Sequence, residues 1–447
     1  MKKLSLSIIL ALVSTLISAQ TLSLDSCKTL AIQNNKHLRE AYLKSEASAQ
    51  VKKNAFTNYF PKVDAGAVAM RSNKYLLEAS LPEMNLPVYD GNPVNLPTAT
   101  EFAYFPGMDI SMLDYTNAAY IMAIQPLYMG GKIRNGNKLA GLGQEISEYT
   151  IHLTTDEVLA KTEAYYWSLV GLMEKKKTLN SYQKMLKELL SDVTVSYEAG
   201  IIQKSDVLKV KYKLSKVNGN ELQIDNGITL LKMMLCQQMG IPFNENLQPE
   251  NLKMELLPPS TVFMKPQEAL VQRYEYQMLN TSVEAERLQR QMAIGENLPQ
   301  LAVGVQGLYL DIIEDQNTYG IAFATLSIPI SGWWGGSHKI QEHKIKMNIA
   351  QNDRDEKSEL MILQINKAYN DLNESFEQIN VAQKSLEEAN EYLNVVSNNY
   401  EAGIISTSDL LEAQTMQQQS HDELVNAKTN YKIKMAKYLE SIAQRNM

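Results

Sequence analysis

Cysteine is nearly absent from this 447-residue sequence, with two in total, so no disulfide framework holds the fold. Phenylalanine (8) and tryptophan (3) are scarce, whereas tyrosine reaches 23, a residue suited to surfaces that are half apolar and half wet. Histidine is also rare. Of the five, His338 and His343 lie five apart, off the i, i+4 spacing of a two-histidine metal face. No Gly-rich phosphate loop, nucleophile elbow or CxxC appears, and "MGGKIRNG" is too short for a P-loop and lacks its Lys-Ser/Thr pair. The constellations of an enzyme are missing, and no cofactor or metal is expected.

Long apolar runs are absent too, except one. Lys2 and Lys3 precede an apolar stretch from Leu4 to Ile17, followed by "ISAQ". That order reads as a secretory signal peptide, residues 1–19, cut after Ala19. The run is shorter than the ~20 residues a spanning helix needs. Cys27 lies well beyond it, behind "SLDS" rather than a small apolar box, which argues against lipidation. Losing Lys2 and Lys3 takes the formal charge from -7 to -9, which argues against nucleic acid as a partner.

What the sequence does contain is a repeat. "YEAGIIQKSD" begins at Tyr197 and "YEAGIISTSD" at Tyr400, eight of ten positions identical and 203 residues apart. A long stretch with almost no helix breakers precedes each. In the second, Ile365, Leu372, Ile379, Leu386, Leu393 and Tyr400 recur every seven residues; in the first, Leu172, Leu179, Leu186 and Val193 do so. A sustained period of seven predicts helices packed as in coiled coils. At ~1.5 Å per residue each would be roughly 100 Å long, which suits a rod or tube better than one globular core. Shorter helices are expected after each turn, about Ser205–Met239 and Ser408–Ala443, and before each hairpin, about Leu24–Asn58 and Lys265–Asn297.

Between these helices lie two β-hairpin candidates. "VDAGAVAMR" from Val63 should pair with "NAAYIMAIQPL" from Asn117, and "PQLAVGVQGLYL" from Pro299 with "YGIAFATLSIPI" from Tyr319. Leu301, Val303, Val305 and Tyr309 would point one way, Ala302, Gly304 and Gln306 the other. An apolar face backed by a small or polar one is the lipid-out, lumen-in pattern of a membrane barrel, and also that of an ordinary half-buried sheet. The first hairpin carries an interruption with Pro82, Pro87, Pro93, Pro97 and Pro106, dense enough to exclude regular strand ladders. Gly130–Gly131 and Gly335–Gly336 read as strand-to-helix bends. Trp333 and Trp334 then fall at the end of the fourth strand, as an aromatic belt or as plain packing.

The organisation expected is therefore a first structural repeat over 20–240, with a hairpin about 62–127 and a long helix about 131–199. A linker, 241–263, leads to a second repeat over 264–447, with a hairpin about 299–330 and a long helix about 336–402. Four strands cannot close a barrel, since single-chain membrane barrels have at least about eight. Strands spanning a bilayer would therefore oblige several copies to share one barrel. If the helices of the first half stack end to end, Cys27 and Cys236 fall at the joint; a bridge there needs Cα atoms within about 7 Å.

With the signal peptide, the duplicated plan, "YFPKV", "QPLYMGGK" and Y-E-A-G-x5-D-x-L twice, the sequence resembles the TolC-like outer-membrane efflux duct family over essentially the whole mature chain. The resemblance implies a mainly α fold with a membrane β-barrel contribution, in which a homotrimer builds a 12-stranded barrel continuous with a periplasmic α-helical tube. It implies a passive export duct in the outer-membrane lipid, a periplasmic adaptor and an inner-membrane pump. Tyr197, Gly200, Ile201, Ser205 and Asp206, with Tyr400, Gly403, Ile404 and Ser408, become the two periplasmic tips, for which adaptor docking is expected. Gly200 and Gly403 should cap the long helices, and Ser205–Asp206 and Ser408–Asp409 restart the chain as N-caps. The family's acidic positions imply that Asp409 and Glu412 line the periplasmic gate. Where relatives can carry a basic residue after the tip glycine, this chain has Ile405. The bland alternative makes Asp409 an N-cap and Glu412 its capping-box partner. A periplasmic coiled-coil adaptor or scaffold would share the heptad helices, but without lipid-facing strands or a channel.

Overall fold

The computed structural model describes residues 21–112, 114–250, 256–312 and 315–444; the expected signal peptide lies outside them. In chain order come β1 (Thr21–Leu22), α1 (Leu24–Asn34), α2 (Lys36–Thr57) and β2 (Lys62–Arg71). The interruption then forms β3 (Leu77–Leu81), β4 (Met84–Pro87), a 3-10 turn (Pro93–Thr98), β5 (Phe102–Phe105) and β6 (Met108–Met112). β7 (Tyr115–Met129), α3 (Lys132–Glu198), α4 (Lys204–Gln238) and β8 (Gln248–Pro249) follow. The rest is α5 (Pro266–Gln272), α6 (Tyr274–Glu296), β9 (Gln300–Ile312), β10 (Asp315–Ser327), α7 (Gly332–Glu401) and α8 (Thr407–Ser441).

These elements divide into two compact units. Of the described residues, a helical unit takes those within 21–49, 142–284 and 347–444, and a strand-bearing unit those within 50–141 and 285–346.

In the helical unit the seven-residue period is the buried seam. Leu179, Leu186 and Val193 of α3 share one core cluster with Val207, Val210 and Val217 of α4 and with Leu410 and Leu411 of α8. Ile365, Leu372 and Ile379 of α7 lie in another, with Tyr431 and Tyr438 of α8. A third gathers Cys27 of α1, Tyr166, Trp167 and Leu169 of α3, and Leu235 and Cys236 of α4. The two cysteines therefore do meet in one core, as free buried thiols. The linker takes part in this packing: β8 pairs in parallel with β1, Thr21 opposite Gln248, and Leu247 is buried in the third cluster.

The helices expected as unbroken over Leu24–Asn58 and Lys265–Asn297 are each broken. At Asn35 the backbone turns extended (ψ 130). Its Oδ1 accepts from the N–H of His37 (2.9 Å) and of Leu38 (3.2 Å), which restarts the helix, while Nδ2 donates to the Gln238 carbonyl at 2.8 Å. Arg273 makes the second break (ψ 134), with its guanidinium on Glu275. The α4 terminus closes on Gly240 at φ 68, and 203 residues later α8 closes on Ala443 at φ 52. The N–H donations that accompany both, Ile241 to Cys236 and Gln444 to Leu439, are those of a Schellman cap.

In the strand-bearing unit four strands form one antiparallel sheet, order β10-β9-β7-β2. Register runs from Val63↔Ala123 to Arg71↔Tyr115, and from Leu301↔Leu326 to Tyr309↔Thr318. The two hairpins meet through β7 and β9, with Ala123 opposite Val305.

Two expectations fail here. The proline-rich interruption does form ladders, β3 with β6 and β4 with β5. Its prolines avoid the cost of a missing donor by position: Pro82 and Pro106 lie between the ladders, Pro87 ends one, and Pro93 and Pro97 sit in the 3-10 turn. The second long helix starts at Gly332 rather than about 336, so Gly335 and Gly336 are helical, and Trp333 and Trp334 belong to its first turn. Trp333 donates its indole N–H to the Asn297 carbonyl at 2.8 Å. Gly130 and Gly131 do bend the chain, at φ 63 and 79.

Candidate functional site: two helix tips and an open-edged sheet

Each long helix ends in the same way. The N–H of Gly200 donates to the Tyr197 carbonyl and that of Ile201 to Ser196, both 2.9 Å; Gly403 and Ile404 repeat this with Tyr400 and Asn399 at the same distance. The glycines sit at φ 77 and 73, the left-handed region where a Cβ is costly. The cap turns the backbone so that the two isoleucines after each glycine part company. Ile202 and Ile405 pack into the core beneath the tips, together with Tyr400. Ile201 and Ile404 remain 77% and 72% exposed. Packing accounts for the second isoleucine of each pair and leaves the first without a folding role.

The chain restarts two residues earlier than expected. The N-cap of α4 is Gln203, without a side-chain cap, and Ser205 is exposed in its first turn. The N-cap of α8 is Ser406 rather than Ser408. Its hydroxyl accepts from the Asp409 N–H (3.4 Å), while Asp409 Oδ2 accepts from the Ser406 N–H (2.9 Å) and hydroxyl (2.7 Å). That is a capping box with Asp409 as its acid, and Glu412 takes no part. Those hydrogen bonds from Ser406, aided by the charge of Lys209, hold the Asp409 carboxyl below the usual aspartate value. It is ionised at neutral pH. Asp409 and Glu412 are three apart and both exposed, so they share one outward helix face.

Lys209 is the residue the sequence did not single out. Its Nζ donates to Ser408 Oγ at 2.7 Å and lies 3.3 Å from Asp206 Oδ1. One cation thereby joins the starts of α4 and α8, and the two tips are a single polar constellation. The contact spans 199 residues, and no local pattern signals it. The capping box was visible as S-x-x-D at 406–409.

The sheet has two chemically distinct faces. Paired residues share a face, so the register groups Val63, Ala65 and Ala67 of β2 with Ala123, Ile121 and Ala119 of β7. The same face continues through Val303 and Val305 of β9 to Ala324 and Ala322 of β10. Over these rungs it is apolar apart from Gln125, which lies opposite Val303, and farther along it carries Asn117 opposite Asp311. The opposite face mixes Lys62, Asp64 and Gln306 with Met122, Ile124, Ile321 and Phe323. The edges are β2 and β10; because every pairing is antiparallel, these edges run in opposite directions. Among the described residues no helix is long and apolar enough to cross a membrane, and no group of His, Cys, Asp and Glu is arranged to hold a metal ion.

No curated protein matches the chain in sequence. The family model for outer membrane efflux proteins matches residues 265–438. Among solved structures, the outer-membrane channel OprN is 15% identical, with a TM-score of 0.76 over 94% of this chain and 90% of its own. The Campylobacter jejuni CmeC outer membrane channel is 17% identical (TM-score 0.74; 94% and 85%), and the open-state Neisseria gonorrhoeae MtrE outer membrane channel 13% (0.74; 94% and 88%). Residues 265–438 thus match the outer membrane efflux protein family, and over 94% of its length the chain has the fold of the outer-membrane channels OprN, CmeC and MtrE.

Proposed function

We propose that the protein is the outer-membrane duct of a tripartite efflux or secretion system, passive in itself and loaded by an inner-membrane pump through a periplasmic adaptor. The observation that carries this is the sheet: four strands, one face apolar through its middle rungs, and two open edges of opposite direction. In lipid every backbone N–H and C=O must be paired, so open edges cannot persist there. Because the edges are antiparallel to one another, β10 of one copy can continue onto β2 of the next without breaking the pattern. Three copies then close a 12-stranded barrel with the apolar face outward. A coiled-coil adaptor or scaffold has no use for such a sheet.

Under this reading the two repeats, 20–240 and 264–447, supply equivalent halves, and the helical unit lies in the periplasm. Ile201 and Ile404, with the neighbouring Tyr197, Ser205, Asp206 and Ser408, offer the surface for the adaptor. Asp409 and Glu412 repeat around the three-fold axis as two carboxylate rings at the periplasmic entrance.

Purified protein in a planar bilayer tests both levels. Wild type should conduct and favour cations, and multivalent cations added on the periplasmic side should block it. Asp409→Asn combined with Glu412→Gln should weaken selectivity and block while assembly survives. No conductance at all would refute the duct. A conducting double variant with wild-type selectivity and block would leave Asp409 as a capping residue only.

A further inference from the structure

The segment between β2 and β7 is a built element whose chemistry the duct reading does not use. Its two ladders are one hairpin: Leu81 pairs with Met108 before the interruption and Met84 with Phe105 after it, in a single continuous register. The strands stay close across the gap, where a Cβ on Gly107 would lie 3.0 Å from the Glu83 nitrogen. The tip is fixed as well. Asp90 accepts from the Asn92 N–H and from Asn95 Nδ2, both 2.9 Å, and Asn92 Oδ1 accepts from the Val94 N–H at 3.2 Å.

The β3–β6 ladder has two unlike sides. Glu78, Ser80, Asp109 and Ser111 occupy one, with the Ser80 hydroxyl donating to Asp109 at 2.5 Å. Leu77, Ala79, Leu81, Met108 and Ile110 occupy the other. Counting by alternation, Phe102 and Tyr104 fall on that side too, beside Asn85 and Glu83, whose Oε2 accepts from the Tyr104 hydroxyl at 2.8 Å; Leu77, Leu81, Phe102, Tyr104 and Met108 are all exposed. A cluster of exposed apolar side chains of this kind marks an interaction site.

We propose that this apolar side packs against its own copies around the mouth of the trimer and forms a hydrophobic cap on the duct. The inference rests on the trimeric reading above. Three features select a second copy of this chain as the occupant. The hairpin directly extends β2–β7, with Ser72 still donating to the Asp114 carbonyl, and β2 is the open edge on which the next copy would seat. Residues 77–112 contain five carboxylates and no Lys, Arg or His, which disfavours an anionic lipid surface. Around a closed ring of copies the same side of each hairpin faces the common axis, and the side with Glu78 and Asp109 then faces outward. The β9–β10 hairpin, pairing Ile312 with Asp315, has no such extension to obstruct them. An apolar constriction of this kind resists wetting and therefore conduction.

Single-channel conductance of the reconstituted full-length protein tests it. Ile110→Lys, on the apolar side, should raise conductance about twofold or more, and so should replacing 75–112 with a short Gly-Ser turn. Ser111→Lys, adjacent but on the polar side, should leave it unchanged; subunit counts should equal wild type throughout. If Ile110→Lys and the shortened protein are both trimeric and conduct as wild type does, the cap is wrong and the duct stands. If wild type is neither trimeric nor conducting, the duct reading fails and the cap with it. A photo-crosslinker at Ala79 that captures another protein in cells, and never a second copy, also overturns the proposal.

Discussion

Cys27 and Cys236 are the protein's only cysteines, and both are buried in the same core. Burial, reinforced by the neighbouring Cys236, pushes the Cys27 thiol up to about 12. Thiolate is the reactive form, so at pH 8 the native protein should resist alkylation, and two labels should be taken up once it is denatured without reductant. Mass spectrometry distinguishes this from the contrary result, in which denaturation exposes no thiol because the pair is oxidised. That the two would meet was legible, since the expected end-to-end helices place both at one joint. The cap residues were legible only in part. Ser406 and Asp409 stand in S-x-x-D spacing, but the neighbouring Ser408–Asp409 matches the first repeat's Ser205–Asp206 and drew the boundary two residues too far. Lys209 belongs to contacts no local pattern encodes.

At the scale of the element, the long helices were readable because their seven-residue period is the packing itself; Leu186, Ile365 and Leu372 are wholly buried. Their ends were readable because only glycine sits comfortably at φ 77 and 73. Space is open around a Cβ at either glycine, so substitution acts through backbone strain alone. Gly200→Val or Gly403→Val should cost on the order of 1 kcal/mol or more and impair export while the trimer still forms. Normal export by both variants would mean that these turns need no fixed shape. The second repeat offers the opposite experiment. Ala443 holds at φ 52 the conformation that Gly240 holds at φ 68. Ala443→Gly should therefore stabilise the protein by about 0.5–1 kcal/mol, read as a raised midpoint of thermal or denaturant unfolding. An unchanged or lowered midpoint would show that this terminus carries no strain. The breaks at Asn35 and Arg273 escaped notice for a physical reason. Neither residue is a strong helix breaker, and Asn35 leaves the helix to reach a carbonyl on another element.

For the whole molecule, the sheet was the part that strand alternation could locate but not place. Val303 and Val305 against Ala302 and Gly304 fix which side is apolar, and only the pairing of β7 with β9 joins the two hairpins into one four-stranded sheet. The proline-rich hairpin was illegible because its prolines argue against long ladders and say nothing against short ones placed between them. All of this converges on one claim, that the open edges of β2 and β10 are closed by other copies of the same chain. The native mass of the protein extracted from outer membranes in mild detergent measures that directly. Three copies per particle is the predicted result, the number that the resemblance to the efflux ducts implies, and four strands from each then close an antiparallel barrel of 12. A particle of one copy would leave both edges unpaired in lipid and would contradict the account.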